Sequence, residues 1–367
     1  MSSVFVYVYD NKPMDRLRHN TTIVIVNEIF AFVKSTQKIF SIFFIFSKKE
    51  ELFGHGYSYI YLIPLQAFRE NFMSEHPFTY AALCRALDCL SATHPFIRKS
   101  VLGKSLFKTP IPALIIGCGR KKTVYVGCHH GSEYLTAFLL LSFAEELAKS
   151  VDAGMRRFSL DTRTLIECRT AVIIPCLNPD GMRLAREGAD AFPCHIAELI
   201  ALNQNSRDFS RWQANGRGVD LNHNYDFGFF DYKALEKQHG IRAGATRFAG
   251  EYPESEPETR ALASYLRKEL RDLSAVLSFH SQGEVIYYHD TPITRRGARF
   301  LRDFTGYSAE HAEGLSAYGG LSDYLHSLKV PAYTLEIGKG ENPLPSSLFP
   351  YLYASLREVL FRSLSFF

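Results

Sequence analysis

From Met73 onward the chain alternates short apolar runs of β type with longer runs at helical spacing, and this alternation limits the folds open to it. PALIIG (112–117), TVYVGC (123–128), TAVIIPCL (170–177), AVLSFH (275–280) and PAYTLEIG (331–338) read as strands. YLTAFLLLSFAEELAKS (134–150), PETRALASYLRKEL (257–270) and SSLFPYLYASLREVLFRSL (346–364) read as helices. MSEHPFTYAALCRALDCL adds a further helical run, with Ser74 in its N-cap region and His94-Pro95 beyond its end. Strands apolar on both faces, interleaved with helices, predict an α/β fold. The expected architecture is a single mixed, mostly parallel twisted sheet with helices on both faces.

The first 72 residues have a different texture. IFSIFFIF (39–46) and YSYIYLI (57–63) are rich in aromatics and isoleucine, without clean alternation at either period. We expect residues 1–72 to be a poorly packed N-terminal extension or a mis-called start, and residues 73–367 to form the complete domain. Residues 22–46 are apolar but carry Glu28, Lys34 and Lys38, which argues against a membrane span. The opening MSSVFVYVYD lacks the basic and small-residue features of a secretory signal. Seven cysteines at 84, 89, 118, 128, 168, 176 and 194 include no C-x-x-C pair. That pattern fits free thiols in a reducing compartment, so the expected location is the cytoplasm. A net charge of +4 with scattered lysines and arginines lacks the footprint of a nucleic-acid binder.

Several segments carry candidate chemistry. Gly103-Lys104-Ser105 resembles the end of a phosphate-binding loop, but the required first glycine falls at Arg98, so no phosphate can be wrapped. VGCHHGSEYL (126–135) is more informative, because it leaves a strand and enters a long helix, where α/β sheets place ligands. Either His129 or His130 could share a cation with Glu133, at spacings i, i+4 and i, i+3. A catalytic zinc usually needs a third protein ligand, and His280 at the end of another apolar strand can supply it. Glu336 is a carboxylate at the end of an apolar strand, costly there unless paired or used. It could be a structural ion pair with Lys339 or Arg217. The loop RGVDLNHNYDFGF, with Arg217, Asp220, Asn222, His223 and Asn224, suits either a cleft lining or a hydrogen-bonded turn cluster.

Together these segments resemble the zinc carboxypeptidase family, the M14 metallopeptidases. His130-Gly131-Ser132-Glu133, Asn178-Pro179-Asp180-Gly181, Arg217-Gly218-Val219-Asp220-Leu221-Asn222, Ser255-Glu256-Pro257-Glu258-Thr259, His280-Ser281 and Glu336 follow in the family's order, from about residue 76 onward. The resemblance implies one Zn²⁺ per chain, held by His130, Glu133 and His280. Asp220 would orient the ring of His130. Glu336 would be the general base toward a metal-activated water, and Arg217 would hold the developing oxyanion, with Arg211 as the alternative.

WQANGRGVDLNHNYDFGF, HSQGEVIYY and IGKGENPLP narrow the resemblance to the branch of γ-D-glutamyl-L-diamino-acid endopeptidases. The implied substrate is a small peptidoglycan-derived peptide, a muropeptide cut between γ-D-glutamate and diaminopimelate. Asn222, His223, Ser281, Gln282 and Tyr318 are the implied substrate-binding residues. Digestive carboxypeptidases have Asn-Arg as a clamp for a terminal carboxylate, where this chain has Asn222-His223. A histidine lacks the guanidinium fork, which argues against strict C-terminal exopeptidase action. The tyrosine that closes over substrate in those enzymes falls at Leu315 here, with Tyr318 three residues on. Two rival readings share the same residues: a deacylase of N-acyl amino acids, and a non-catalytic module that binds muropeptides.

Overall fold

The apolar runs become the middle of an eight-stranded sheet in the computed structural model, which describes residues 78–367. The expected extension, residues 1–72, lies outside the described residues, as does Ser74. The strands are β1 (Ile97–Lys104), β2 (Pro110–Ile116), β3 (Lys121–Gly127), β4 (Arg169–Ile174), β5 (Leu273–His280), β6 (Val285–Tyr287), β7 (Ser308–Glu310) and β8 (Ala332–Glu336). Their spatial order is β1-β2-β4-β3-β5-β8-β6-β7. The central four, β4, β3, β5 and β8, run parallel. Antiparallel pairings of β1 with β2, β2 with β4, and β6 with β8 make the sheet mixed.

The described residues include ten α-helices: α1 (Tyr80–Thr93), α2 (Leu135–Asp152), α3 (Thr162–Cys168), α4 (Pro179–Glu187), α5 (Ile196–Leu202), α6 (Phe229–Gln238), α7 (Pro257–Glu269), α8 (Pro292–Thr305), α9 (Leu321–Ser327) and α10 (Phe349–Phe366), with a separate short hairpin pairing Arg156–Arg157 with Leu160–Asp161. The helix expected to start near Ser74 is described from Tyr80, where Thr79 Oγ1 accepts from the Ala82 N–H at 3.3 Å. None of these helices is long and apolar enough to cross a membrane.

Side chains of β3 show how both faces are covered. Val124 and Val126 pack with Val172 and Ile174 of β4 against Leu262 and Leu266 of α7 and Leu325 of α9. Tyr125 points the other way, and its hydroxyl meets Ser363 Oγ of α10 at 3.0 Å. On that face Tyr353 of α10 donates to the Ser142 carbonyl of α2 at 3.0 Å. Because α2 is apolar nearly all round, it is buried nearly all round. Each fully buried Val, Leu or Ile side chain contributes roughly 1.5–3 kcal/mol relative to exposure, so the two-sided cover is what stabilises the parallel strands.

Three neighbouring parallel strands, β3, β5 and β8, end at the same edge of the sheet. In register, Glu336 lies opposite His280, and Gly127 lies opposite Phe279. The chain leaving β3 turns into α2 through a single 3-10 turn, Gly131–Glu133, rather than an early start of the helix. That turn packs directly on the start of α4. A Cβ added at Gly131 would sit 2.2 Å from the carbonyl carbon of Gly181, and one at Gly181 would sit 2.5 Å from the Ala214 oxygen. Both glycines are therefore required by close approach of backbone to backbone.

The phosphate-loop lookalike acquires a structural explanation. Ser105 Oγ donates to Asp180 Oδ1 at 2.8 Å, joined by Thr109 Oγ1 at 2.7 Å and the Phe107 N–H to Oδ2 at 2.8 Å. Asp180, at the start of α4, thereby fixes the β1–β2 turn beneath the 131–133 turn. We predict that Gly131→Ala displaces the turn, lowers stability by about 1–3 kcal/mol and removes bound zinc. Thermal unfolding and elemental analysis check both effects.

Candidate active site

His130, Glu133 and His280 converge, each offering one donor atom within 4.8 Å of the others. His130 Nδ1 lies 2.9 Å from Glu133 Oε1 and 3.3 Å from His280 Nδ1. Glu133 Oε2 lies 3.2 Å from His280 Nδ1 but makes no hydrogen bond, although it is buried. Two ring nitrogens aimed at each other and an orphaned carboxylate oxygen are unfavourable unless something positive sits between them. Tetrahedral zinc with ligand bonds of about 2.0–2.1 Å requires donor atoms about 3.3 Å apart, and the observed separations match that edge. The donor set, two imidazoles and one carboxylate, is of the catalytic kind that leaves a fourth position free.

The remaining ring nitrogens are tied back. His130 Nε2 meets Asp220 Oδ1 at 3.0 Å, and His280 Nε2 meets Ser278 Oγ at 3.1 Å. Asp220 is itself oriented, accepting from the Asn222 N–H at 3.1 Å and the Arg247 N–H at 3.0 Å. A carboxylate on the outer ring nitrogen fixes the tautomer and makes the inner nitrogen more basic. His129 answers the ambiguity of the sequence: it is fully buried behind the site, with Nε2 3.1 Å from the Tyr225 hydroxyl and Nδ1 3.4 Å from Ser278 Oγ. Burial pushes its imidazole well below the usual range, so it stays neutral.

Without a cation the cluster is an ionic network. Burial opposes charge on His130, but Glu133 and Asp220 outweigh it and hold the imidazole well above its ordinary value. For Glu133 burial acts upward, yet His130 and His280 prevail and hold the carboxyl down at about 2. Asp220 is likewise held below the usual carboxylate range, burial being outweighed chiefly by His130. Glu336 differs in sign: burial first, then the Glu133 charge, push it up to about 8. Neither structural partner suggested by the sequence reaches it, because Lys339 pairs with Glu284 at 2.8 Å and Arg217 lies beside Glu256 at 3.8 Å.

The cluster opens into a cleft of about 710 Å³, whose walls include Arg211, Asn222, His223, Ser281, Gln282, Leu315, Tyr318 and Glu336. Arg217 is the exception. Its half-exposed guanidinium turns to Glu256 and does not line the cleft. Arg211 does line it, and its Nη2 donates to Glu341 Oε2 at 2.9 Å on the rim. Of the two arginines named from the sequence, the alternative Arg211 lines the cleft and Arg217 does not. His223 is buried, stacked on Tyr232 at 3.7 Å between ring centroids, and its Nδ1 bonds the Tyr318 carbonyl at 2.9 Å. Burial lowers its imidazole below the ordinary value, so it carries no clamp charge at neutrality. Asn222 Oδ1 accepts from the Leu321 N–H at 3.2 Å. Ser281 Oγ donates to Asn342 Oδ1 at 2.8 Å, and Asn342 Nδ2 reaches Glu133 Oε1 at 3.3 Å. Asn342 was not singled out in the sequence; its only signal was its place in the IGKGENPLP segment after Glu336.

The family model for zinc carboxypeptidases matches residues 83–352. This chain belongs to the zinc carboxypeptidase family. It is similar to γ-D-glutamyl-L-diamino acid endopeptidase 1 of Lysinibacillus sphaericus, 30% identical over 281 residues that cover 75% of this chain and 69% of that one. Human carboxypeptidase A6 is 28% identical over 199 residues, covering 52% of this chain and 38% of its own length. Among solved structures, bovine thrombin-activatable fibrinolysis inhibitor shares the fold with a TM-score of 0.58 at 19% identity, over 78% of this chain and 96% of that one. As a member of the zinc carboxypeptidase family the chain is a metallopeptidase, and His130, Glu133 and His280 are the described residues fit to hold its metal.

Two predictions follow from the ligand geometry. Asp220→Ala removes the carboxylate behind His130 and should weaken zinc binding about 10–100-fold, read by chelator competition. In the metal-free protein Glu133 and Asp220 keep His130 protonated above its ordinary range, so zinc must displace that proton. Zinc affinity should then fall about tenfold per unit as pH drops from about 7 to about 6, and an affinity flat over that range would contradict the assignment.

Proposed function

We propose that this metallopeptidase hydrolyses the amide bond between γ-D-glutamate and a diamino acid, such as diaminopimelate, in peptidoglycan-derived peptides. The observation that carries the chemistry is Glu336, a half-buried carboxyl without an ion-pair partner among the described residues, opposite His280 in register and close enough to feel Glu133 and His130. Support for the substrate comes from the branch-like segments around Asp220, His280 and Glu336, and from the relative named for that bond.

Zinc held by His130, Glu133 and His280 would supply Lewis acidity to the scissile carbonyl and to water. Glu336 takes the proton of the attacking water and returns it to the leaving amine. Burial and Glu133 raise its pKa to about 8, and the charge of a bound cation opposes that rise, which favours a base active near neutrality. Arg211, on the cleft wall, stabilises the oxyanion that forms on the former carbonyl; its rim pair with Glu341 is exposed on both sides, so releasing it costs little. Asp220 keeps the His130 ring aimed inward. Asn222, Gln282, Ser281 and Tyr318 line the space that the peptide occupies.

His223 cannot act as a charged carboxylate clamp, which supports cleavage within a branched or longer peptide over strict removal of a terminal residue. The catalytic unit is residues 73–367. The seven free cysteines suit a reducing compartment, and we place the reaction in the cytoplasm on that ground.

Zinc-loaded protein should cleave L-Ala-γ-D-Glu-diaminopimelate, with the two products identified by mass. Faster release of an acyl group from N-acyl amino acids would favour the deacylase instead. Glu336→Gln should retain zinc and peptide affinity while losing turnover by about a hundredfold or more. Arg211→Ala should lower kcat by about 10²–10³-fold, whereas Arg217→Ala should leave it near normal. The reverse ranking of the two arginines would restore the sequence-based assignment.

A further inference from the structure

Two Lys or Arg residues line the cleft, Arg211 and Arg247. Arg211 is balanced by Glu341. Arg247 is exposed and has no carboxylate partner among the described residues. Of the cleft's other acidic groups, Glu133 and Asp220 hold His130, Asp323 bonds His289 at 2.7 Å, and Glu336 has no ion-pair partner among the described residues.

The backbone of Arg247 is fixed at both ends. Its N–H donates to Asp220 Oδ2 at 3.0 Å, and its carbonyl accepts from the Tyr232 hydroxyl at 2.8 Å. Asp220 uses its other oxygen for His130, so one carboxylate joins the Arg247 backbone to the metal-ligand cluster. The residues before it are tied down as well, since the Ala245 carbonyl accepts from the Gln213 and Ala214 N–H groups at 2.9 Å. Arg247 adopts φ +69°, a conformation uncommon for a side chain of its kind. A held backbone that presents an unpaired guanidinium to a cleft suits an anion arriving with the ligand, because guanidinium pairs with carboxylates in a fixed two-bond geometry.

We propose that Arg247 is a specificity-determining residue that binds a free carboxylate of the peptide substrate close to the scissile bond. This rests on the peptidase reading above. The chemistry has two sources in such a peptide: the α-carboxylate of the γ-linked glutamate on the acyl side, and the carboxylate beside the scissile nitrogen on the leaving diamino acid. His223, neutral and turned to the Tyr318 carbonyl, does not compete for either.

The test uses the zinc-loaded full chain, its Arg247→Gln and Arg247→Lys variants, and three peptides: L-Ala-γ-D-Glu-diaminopimelate, its acyl-side amide and its leaving-side amide. Calorimetric binding and steady-state turnover are both measured, with zinc content as the check on folding. Arg247→Gln should raise Kd and KM for the unmodified peptide about tenfold or more, with kcat much less affected, and Arg247→Lys should recover part of the loss. One of the two amides should bind the parent protein as weakly as it binds Arg247→Gln, which identifies the carboxylate. If Arg247→Gln weakens all three peptides by the same factor, or none, Arg247 does not read a carboxylate. Cleavage with no such coupling overturns this proposal and leaves the peptidase reading standing. Coupling in binding without cleavage does the reverse, and neither binding nor cleavage overturns both.

Discussion

Burying several carboxylates and imidazoles together at a sheet edge is the constraint on which the rest of the structure depends. Glu133 and Asp220 are buried, and Glu336 stands beside them at the mouth of the cleft. Low dielectric makes their mutual repulsion strong, and without a cation Glu336 is pushed toward its neutral form. A divalent cation held by His130, Glu133 and His280 would relieve that repulsion. It would meet the orphaned oxygen of Glu133, take both facing Nδ1 atoms of His130 and His280 as ligands, and oppose the upward push on Glu336.

The fold supplies what the cation needs. Parallel strands β3, β5 and β8 end side by side, so residues separated by about 200 positions in sequence become neighbours. The lack of a Cβ at Gly131 lets the 131–133 turn sit on the Gly181 backbone of α4, and Asp180 fastens α4 to the β1–β2 turn. Metal geometry is therefore set by backbone packing on one side and by Asp220 and Ser278 on the other. This is the division expected where ligands must be held before the ion arrives.

Much of this was legible in the amino-acid sequence. Central strands announce themselves because both faces are buried, so TVYV, AVII and AVLSF read as unbroken apolar runs. Their places at or just beyond such runs marked His129, His130, Glu133 and His280 as candidates, and the resemblance to the family singled out His130, Glu133 and His280. The edge strands were not: β1 is IRKSVLGK, with polar residues that an edge strand tolerates, and β6 and β7 have three residues each. Side-chain direction was also hidden. Arg217 stands three residues before Asp220, yet Glu256, brought in from the start of α7, draws it away from the cleft. Arg211 and Arg247 reach the cleft through loop packing that no periodicity encodes. Asn342 meets Glu133 across a separation of 209 positions, for the same reason.

The central claim is that two imidazoles and one carboxylate from this chain share a single cation. Anomalous diffraction at the zinc edge, from crystals of the zinc-loaded protein, tests it most directly. The account predicts one peak per chain, within bonding distance of His130 Nδ1, Glu133 and His280 Nδ1. A peak at the cysteines or elsewhere on the surface, with this cluster left without density, would contradict it.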